Sequence, residues 1–401
     1  MLYSGVDPRP DAVGDGAAPM KGTNMAFFKP FALERFFAKH EFSAKYLLCS
    51  SDCESMPLGE LLAMEADAAG RFAAMRLGYT ESRGAPSLRT EVAGLYRGMT
   101  ADGVLIHAGA EEAILNLCLA VLSPGDRVVV NQPCYQSLAE IPAALGCEVV
   151  GWPIREVPDG ASTRWALDPD ELESLAGDRA RLIILNAPHN PTGALPTRAE
   201  FDAVVAFARK TGALLLVDEV YRRLERDPAA RLPSVCEAYE NGVALDVLSK
   251  HAGLAGLRIG WLASRRLDVL DAVATVKDYG SICSSGPSEF LAGVAIRNLD
   301  RVVDRNRAIV RNNLALLDSF FARRADFARW SPPAGSSIAF PRLSDGGDAE
   351  ALADRLVAEA GVLILPGSCY AYDPSYFRVG YGRANMPEAL ARLEEWLDVN
   401  R

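Results

Sequence analysis

Short runs of β-branched residues and leucine alternate with helical patterns between about residues 76 and 284. Strands that are buried on both faces are apolar at nearly every position, so this alternation predicts a parallel sheet with helices on both sides. Six runs have the length and composition of such strands: "DRVVVNQP", "CEVVGWP", "RLIILNAP", "ALLLVDEV", "VALDVLS" and "RIGWLAS". With right-handed crossovers between them, the chain is predicted to form a doubly wound α/β sheet.

Apolar residues recur at helical spacing in further segments. "EEAILNLCLAVLSP" and "RAEFDAVVAFARKTG" lie between predicted strands, and the second ends in the Lys-Thr-Gly sequence typical of a helix C-terminus. After the last strand, "RVVDRNRAIVRNNLALLDSFFARR" predicts one long helix whose arginines lie mainly on a solvated face. The first 24 residues are rich in Gly, Pro and Asp, and we predict that they are disordered.

The composition is that of a globular protein with an acidic balance. The chain has 401 residues, is 49% hydrophobic and carries a net charge of −10, which argues against a nucleic-acid or anionic-membrane surface. Because it shows neither a long apolar segment nor a secretory signal, we expect a cytoplasmic protein. The eight cysteines form no C-x-x-C pair and the four histidines do not cluster, so free thiols are predicted and no metal site is expected.

Polar residues follow three of the predicted strands at the point where each strand ends. A single residue of this kind is usually a helix cap or a turn former. Ligands of doubly wound sheets bind at the carboxyl ends of the strands, so polar residues that converge there predict a binding site. The polar residues at these three ends are Asn186, Asn190, Asp218, Tyr221, Ser249 and Lys250.

Lys250 is the residue with the most specific chemistry. A lysine at the end of a buried strand is deprotonated more easily than one in water, because burial disfavours its charged form, and it can then form a Schiff base with a carbonyl. Ser249 and Arg258 are suited to hold a phosphate dianion beside it. A phosphorylated aldehyde with a ring that accepts electrons is pyridoxal 5′-phosphate, and we predict this cofactor.

The remaining needs of that cofactor match other residues. Asp218 supplies the buried carboxylate that keeps the ring nitrogen protonated, Asn190 and Tyr221 supply donors to the phenolic oxygen, and Tyr135 covers the ring face. The phosphate prefers a helix N-terminus. Such a terminus is predicted at Gly109, Ala110 and Glu111.

Taken together, these segments resemble the fold-type I pyridoxal-phosphate enzymes of the class I and II aminotransferase family, from about residue 30 to residue 398. The motifs are "YTESRGAPSLR", "GAEEAI", "NAPHNPTG", "VDEVY", "SK" followed by Arg258, and "YFRVGYGR". The resemblance implies an aspartate-aminotransferase-like large domain with a mostly parallel seven-stranded sheet, over residues 76–284. It also implies a smaller α+β domain at 285–401, joined by an N-terminal arm at 25–75.

The resemblance also assigns roles to residues. Lys250 would be the Schiff-base lysine that moves the proton at Cα, and Arg378 would bind the substrate α-carboxylate together with Asn190. Tyr79 would reach the phosphate from the neighbouring subunit, which implies a homodimer with shared active sites. Two positions depart from the family pattern, because Val247 and Ala110 stand where polar side chains usually contact the phosphate.

The N-terminal arm "FALERFFAKHEFSAKYLLCSSDCESMPLGELL" bears on the substrate. It resembles the branch of hydroxyarginine cyclases that contains capreomycidine synthase, enzymes that expel a side-chain hydroxyl and let the guanidine close a ring. Glu34 and Asp52 are carboxylates suited to a guanidinium, which Ser50 and Ser51 would orient. The opposing interpretation is that such carboxylates, Glu54 included, are solvated surface charges.

Three functions remain open at this point. The first is an enzyme acting on an amino acid with a guanidino side chain, which it either transaminates or, if hydroxylated, cyclises. The second is a general aminotransferase for neutral or aromatic amino acids. The third is a non-catalytic cofactor-binding regulatory domain, which is disfavoured because no basic helix-turn-helix segment precedes residue 30.

Overall fold

A computed structural model describes residues 28–160 and 162–400. The predicted disorder of the first 24 residues falls outside this part of the chain. The strands are β1 Tyr46–Leu47, β2 Val104–His107, β3 Arg127–Gln132, β4 Glu148–Pro153, β5 Arg155–Asp159, β6 Ser162–Ala166, β7 Ala180–Asn186, β8 Leu214–Asp218, β9 Gly242–Val247, β10 Gly260–Ser264, β11 Ala328–Arg329, β12 Ile338–Ala339, β13 Arg342–Leu343, β14 Val362–Leu363, β15 Leu365–Pro366 and β16 Phe377–Gly380.

Helices precede, separate and follow these strands. They are α1 Ala32–His40, α2 Leu58–Leu62, α3 Ala68–Ala73, α4 Pro86–Ala93, α5 Ala110–Val121, α6 Gln136–Ala144, α7 Pro169–Ala176, α8 Arg198–Thr211, α9 Val235–Ala238, α10 Leu267–Lys277, α11 Gly286–Arg297, α12 Leu299–Arg323, α13 Ala349–Ala360 and α14 Met386–Asn400.

A seven-stranded sheet with the order β2-β10-β9-β8-β7-β3-β4 forms the centre of the fold. Its strands are parallel except β10, which runs antiparallel to both of its neighbours. The predicted α/β fold with a mostly parallel sheet is therefore confirmed. The seventh strand, β2, was not among the six predicted runs, because four residues between a short turn and a helix are too few to show a periodicity.

Local sequence explains why these elements form where they do. Every residue of β8 and β9 is buried, as expected of strands covered on both faces. Helix α8 begins with a capping box in which Thr197 and Glu200 bond to each other's backbone. It ends at Gly212, whose φ of +72° is left-handed and confirms the predicted helix stop.

The C-terminal part builds a second, smaller layer. The predicted long helix is α12, with 25 residues, and it is followed by a three-stranded sheet with the order β12-β16-β15. The arm joins this layer through β1, which pairs in parallel with β14. No helix within the described ranges is long and apolar enough to cross a membrane. All eight cysteines are free, as predicted.

Candidate active site

The carboxyl ends of β7, β8 and β9 open onto one cavity of about 470 Å³. The arm contributes another wall through α1 and the segment after β1. Most residues selected from the sequence line this cavity although they come from distant segments. They are Glu34, Ser50, Asp52, Ala110, Glu111, Tyr135, Asn190, Asp218, Tyr221, Ser249, Lys250, Arg258 and Arg378.

Three of the selected residues do not line the cavity. The buried Asn186 side chain instead donates to the Asp218 carbonyl and accepts from the Asn190 amide, so it holds two residues of the site in place. Gly109 is the N-cap of α5, directly before Ala110. Tyr79 is 92% exposed on the surface of the single chain, so its predicted contact with the phosphate requires a second subunit.

Lys250 follows β9, and its amino group projects toward the arm. Lys250 Nζ donates a hydrogen bond to Ser51 Oγ at 2.8 Å. Burial lowers the pKa of Lys250, and Asp52 opposes this shift. A larger fraction of Lys250 is therefore deprotonated than of an exposed lysine at the same pH. Nucleophilic attack on an aldehyde requires this neutral amine.

Asp218 and Tyr221 occupy the floor of the cavity at the end of β8. The Val220 amide donates to Asp218 Oδ1 at 3.2 Å, and burial raises the pKa of Asp218 to about 7. The buried Tyr221 hydroxyl lies beside Ser51 and forms no hydrogen bond of good geometry within the described residues. Buried polar groups need hydrogen-bond partners, and a polar ring ligand bound between the carboxylate and the phenol would supply a partner to each.

The start of α5 also lines the cavity, through Ala110 and Glu111. No side chain caps this helix. Gly109 has a φ of +92°, which favours glycine, and a Cβ there would stand 2.4 Å from Arg258 Nη2, so any other residue would also displace the Arg258 guanidinium. Ser249 Oγ is buried and unpaired within the described structure. Helix amides, a guanidinium and a hydroxyl thus surround one space, a donor set suited to a phosphate.

Arg378 is fully buried in a network that the sequence did not predict. Its Nε and Nη2 donate to the carbonyl of Cys49 at 3.1 and 2.8 Å, and its Nη1 donates to the Tyr370 hydroxyl at 2.6 Å. Tyr370 in turn donates to Asn190 Oδ1 at 2.8 Å. Since Oδ1 accepts this bond, the Asn190 amino group remains available as the donor that the phenolic oxygen needs.

Three carboxylates from the arm stand at the mouth of the cavity. Glu34 and Glu41 have no ion-pair partner within the described ranges, whereas Asp52 Oδ2 lies 2.7 Å from Arg383 Nη2. Burial raises the pKa of Glu41, and the negative charges of Glu34 and Asp52 raise it further. The mouth therefore has a negative potential, but Asp52, selected for a ligand guanidinium, already pairs with a guanidinium of this chain.

Backbone hydrogen bonds hold the arm in place after β1. The Cys53 amide donates to the Lys250 carbonyl at 3.3 Å, and the Gly380 amide donates to the Leu48 carbonyl at 3.0 Å. The arm is thus bonded to the lysine loop on one side and to β16 on the other. This segment is a fixed wall of the site rather than an open flap.

Sequence reasoning missed two residues of the site and gave a third a different contact. Ser51 was considered only as a guanidinium contact, yet its hydroxyl bonds to Lys250. Glu41 and Tyr370 were not selected at all. Glu41 follows Glu34 by seven residues, which is two helical turns, so the helical period could have revealed it. No sequence signal distinguishes Tyr370 from the other aromatic residues nearby.

The buried carboxylates predict an unusual pH dependence of stability in the protein without cofactor. Burial raises the pKa of Asp218 from 3.8 to about 7, so the folded state keeps the proton that the unfolded state releases. This contribution is fully present below about pH 4 and is lost as the pH rises to about 7. We expect the Asp218→Asn variant to lose less of its free energy of unfolding over this range, by on the order of a few kcal/mol. Urea titrations at several pH values check this.

The same titrations with the cofactor bound provide the control. A protonated ring nitrogen beside Asp218 favours the carboxylate, so the loaded protein should show a weaker pH dependence than the free protein. Equal pH dependence of the wild type and the Asp218→Asn variant, in the absence of cofactor, would contradict the assignment of a raised pKa to this carboxyl.

Comparison with known proteins identifies relatives of the whole chain. The family described as aminotransferase class I and II matches residues 44–393. A capreomycidine synthase from Streptomyces vinaceus is 30% identical over 373 residues, which cover 92% of this chain and 94% of that protein.

Solved structures agree with this assignment. A PLP-dependent aminotransferase from Streptococcus suis 89-1591 superposes with a TM-score of 0.86 at 31% identity, covering 92% of this chain and 98% of the other. The PLP-dependent cyclase OrfR superposes with a TM-score of 0.86 at 28% identity, covering 93% of this chain and 98% of the other.

The residues present fit pyridoxal 5′-phosphate, the cofactor that this family uses. Tyr221 Oη and Ser249 Oγ, which are buried and form no hydrogen bond within the described residues, belong to residues that line the same cavity as Lys250 and Asp218. When bound, this cofactor withdraws the electron pair that remains at Cα after a proton is removed.

Proposed function

The chain belongs to the class I and II aminotransferase family and is a pyridoxal-phosphate-dependent enzyme, and from that premise we propose that it acts on an amino acid with a guanidino side chain. The reaction we favour is cyclisation of a hydroxylated arginine by loss of water. Transamination of a guanidino amino acid is the closest alternative within this proposal.

The observation that carries the proposal is a pair of carboxylates that line the cavity and have no ion-pair partner in the described part of the chain. Glu34 and Glu41 lie on and directly after α1 and line the same cavity as Arg378. An amino acid held at its α-carboxylate by Arg378 would extend its side chain from Lys250 toward solvent, where these carboxylates stand. The negative charge of Glu34 adds to the burial that raises the pKa of Glu41, so a cation between the two carboxylates would be favoured, and a guanidinium offers donors to both.

The relatives add independent support. A capreomycidine synthase and a PLP-dependent cyclase are among the proteins most similar to this chain over nearly its full length. The arm that supplies Glu34 and Glu41 also resembles the hydroxyarginine cyclases in sequence.

Each residue of the site has a proposed role in the reaction. Lys250 removes and returns the proton at Cα, Asp218 keeps the ring nitrogen protonated, and Asn190 and Tyr221 donate to the phenolic oxygen. The phosphate is held by a hydroxyl, a guanidinium and the amides at the start of α5, which belong to Ser249, Arg258, Gly109, Ala110 and Glu111. Tyr135 covers the ring. Residues 76–284 would bind the cofactor, and residues 285–401 with the arm would complete the substrate side.

A homodimer is part of the proposal. Leu77, Tyr79 and Tyr279 are each at least 85% exposed, and large apolar side chains in such proximity are unusual on a monomer. The Thr80 hydroxyl donates to the Ser284 carbonyl at 2.9 Å, and the Ser82 hydroxyl donates to Asp278 at 2.6 Å, so the two segments form one surface. A second subunit on this surface would bring Tyr79 to the phosphate.

The second candidate is a general aminotransferase, favoured by the structural similarity to the Streptococcus suis aminotransferase. Mass spectrometry of products from arginine, hydroxyarginines and a panel of common amino acids, with and without a keto-acid acceptor, separates the two. Loss of water with every nitrogen retained, independent of an acceptor, is expected. Acceptor-dependent exchange of the amino group for oxygen across unrelated amino acids would instead establish the general aminotransferase.

Neutralising Glu34 tests the side-chain recognition. Glu34→Gln should lower kcat/KM for a guanidino substrate by about 10- to 100-fold, because a charge-assisted hydrogen bond is lost, and should change kcat/KM for alanine little. Arg35→Gln provides a control on the same helix, since Arg35 is exposed and does not line the cavity. Equal losses on both substrates would show that Glu34 does not contact the side chain.

A further inference from the structure

Ser51 occupies an unexpected position in the site. Its hydroxyl accepts the hydrogen bond from Lys250 Nζ at 2.8 Å, and no other side-chain partner of this amino group is found in the described part of the chain. Ser51 also lines the cavity and is partly exposed to it. Its hydroxyl therefore lies between the base of the proposed reaction and the space for the substrate side chain.

The surroundings of Ser51 hold this hydroxyl in position. The Ser337 hydroxyl donates to the Ser51 carbonyl at 2.7 Å, and Arg378 donates twice to the carbonyl of Cys49, two residues earlier. The Cys53 amide donates to the Lys250 carbonyl on the other side. Ser51 is thus fixed relative to both Lys250 and the proposed anchor of the α-carboxylate.

Loss of water from a side chain needs a proton donor at the leaving oxygen, because hydroxide is a poor leaving group. Neither Glu34 nor Glu41 suits this step if both bind the guanidinium. A hydroxyl can be the proton donor if it receives a proton from Lys250 while it gives its own proton to the leaving oxygen. Its charge then does not change.

We propose that Ser51 is a catalytic residue that relays a proton from Lys250 to the departing hydroxyl of the substrate. This inference rests on the proposed cyclisation. It also replaces the sequence-based hypothesis that Ser51 orients the guanidinium.

The protons and electrons of the step balance. Lys250 takes the proton from Cα, and the electron pair left at Cα forms a second bond to Cβ as the Cβ–O bond breaks. Ser51 gives its proton to the leaving oxygen, which departs as water, and Lys250 gives its new proton to Ser51. A guanidine nitrogen then bonds to Cβ and releases one proton, which Lys250 returns to Cα, so the substrate loses one water and retains every nitrogen.

The test separates proton removal from water loss in the holoenzyme. A hydroxyarginine is incubated in deuterated buffer with the wild type, Ser51→Ala and Ser51→Thr, and mass spectrometry follows both deuterium at Cα and loss of water. We expect Ser51→Ala to retain exchange at Cα within about threefold and to lose cyclised product by about 10²-fold, the usual effect of a positioned proton donor. Ser51→Thr keeps a hydroxyl and should recover most of the product.

Other outcomes overturn the proposal. Unchanged water loss in Ser51→Ala excludes the relay, and an equal fall of exchange and water loss reduces Ser51 to a residue that only positions Lys250. If the wild type exchanges the Cα proton but loses no water from any hydroxyarginine, the proposed cyclisation fails, and the relay fails with it. The wild-type reaction alone distinguishes that case.

A measurement without turnover checks the hydrogen bond itself. In the full-length protein before cofactor loading, the rate at which an amine reagent labels Lys250 is measured against pH by peptide mass spectrometry. Ser51→Ala removes an acceptor of the ammonium form, so the midpoint should move down by about one pH unit. An unchanged midpoint would contradict the contact on which the relay depends.

Discussion

Replacing Lys250 with alanine should lower kcat by about 10⁴-fold, the upper range for loss of a positioned acid–base group, and should abolish covalent attachment of the cofactor. Two functions are lost together, because the same amino group forms the Schiff base and moves the proton at Cα. Borohydride reduction followed by mass spectrometry reports the attachment, and single-turnover kinetics report the chemistry. Added small amines should restore part of the proton transfer, since they can enter a cavity of about 470 Å³.

Subunit mixing extends this prediction to the proposed homodimer. Neither Lys250→Ala nor Tyr79→Ala homodimers should be fully active if Tyr79 serves the neighbouring site. A mixed dimer carries one intact site of two. When equal amounts of the two variants exchange subunits freely, about half of the dimers are mixed, so up to about one quarter of the wild-type activity should return. Absence of any restoration, with exchange of subunits demonstrated, would contradict a shared active site.

Replacing Asp218 with asparagine should lower kcat by about 10²- to 10³-fold, as expected when one preorganised electrostatic partner of the transition state is removed. Asparagine cannot hold a positive charge at the ring nitrogen, so the ring accepts electrons less well. The absorbance spectrum should change together with kcat, while the phosphate contacts and the binding of cofactor should be weakened less.

A cofactor analogue gives this second prediction its control. Asp218→Ala leaves space for pyridoxal 5′-phosphate methylated at the ring nitrogen, which carries its positive charge permanently. Recovery of activity with this analogue in Asp218→Ala, and not in Lys250→Ala, is expected. Full activity of Asp218→Asn with the ordinary cofactor would show that this carboxylate does not control the ring charge.

The cofactor side of the site was predictable from sequence because it follows from secondary structure. Asp218 ends a strand, Asn190 and Lys250 each come shortly after one, and the carboxyl ends of parallel strands meet at one edge. The pattern of apolar runs therefore predicted their proximity without any tertiary information. The helix start at Ala110 was predictable in the same way, since glycine before a helical run indicates an N-terminus.

The substrate side was less predictable because it is built from an irregular segment. Asp52 pairs with Arg383, and Ser51 bonds to Lys250, although both positions resembled candidate guanidinium contacts in the sequence. The direction of each side chain depends on where the backbone from Leu48 to Cys53 is bonded. Those bonds run to the lysine loop and to β16, hundreds of residues away in the chain.

The sequence by itself thus determined the doubly wound sheet and the cofactor, and it predicted the residues that would face this cofactor, because periodicity and strand ends encode them locally. Only the tertiary structure decided which hydroxyl of the arm contacts the lysine, which carboxylates remain unpaired and how Tyr370 connects Arg378 to Asn190. These choices depend on contacts between distant segments that lack a repeating pattern. Their positions are set by packing and by hydrogen bonds that form only when the whole chain is folded.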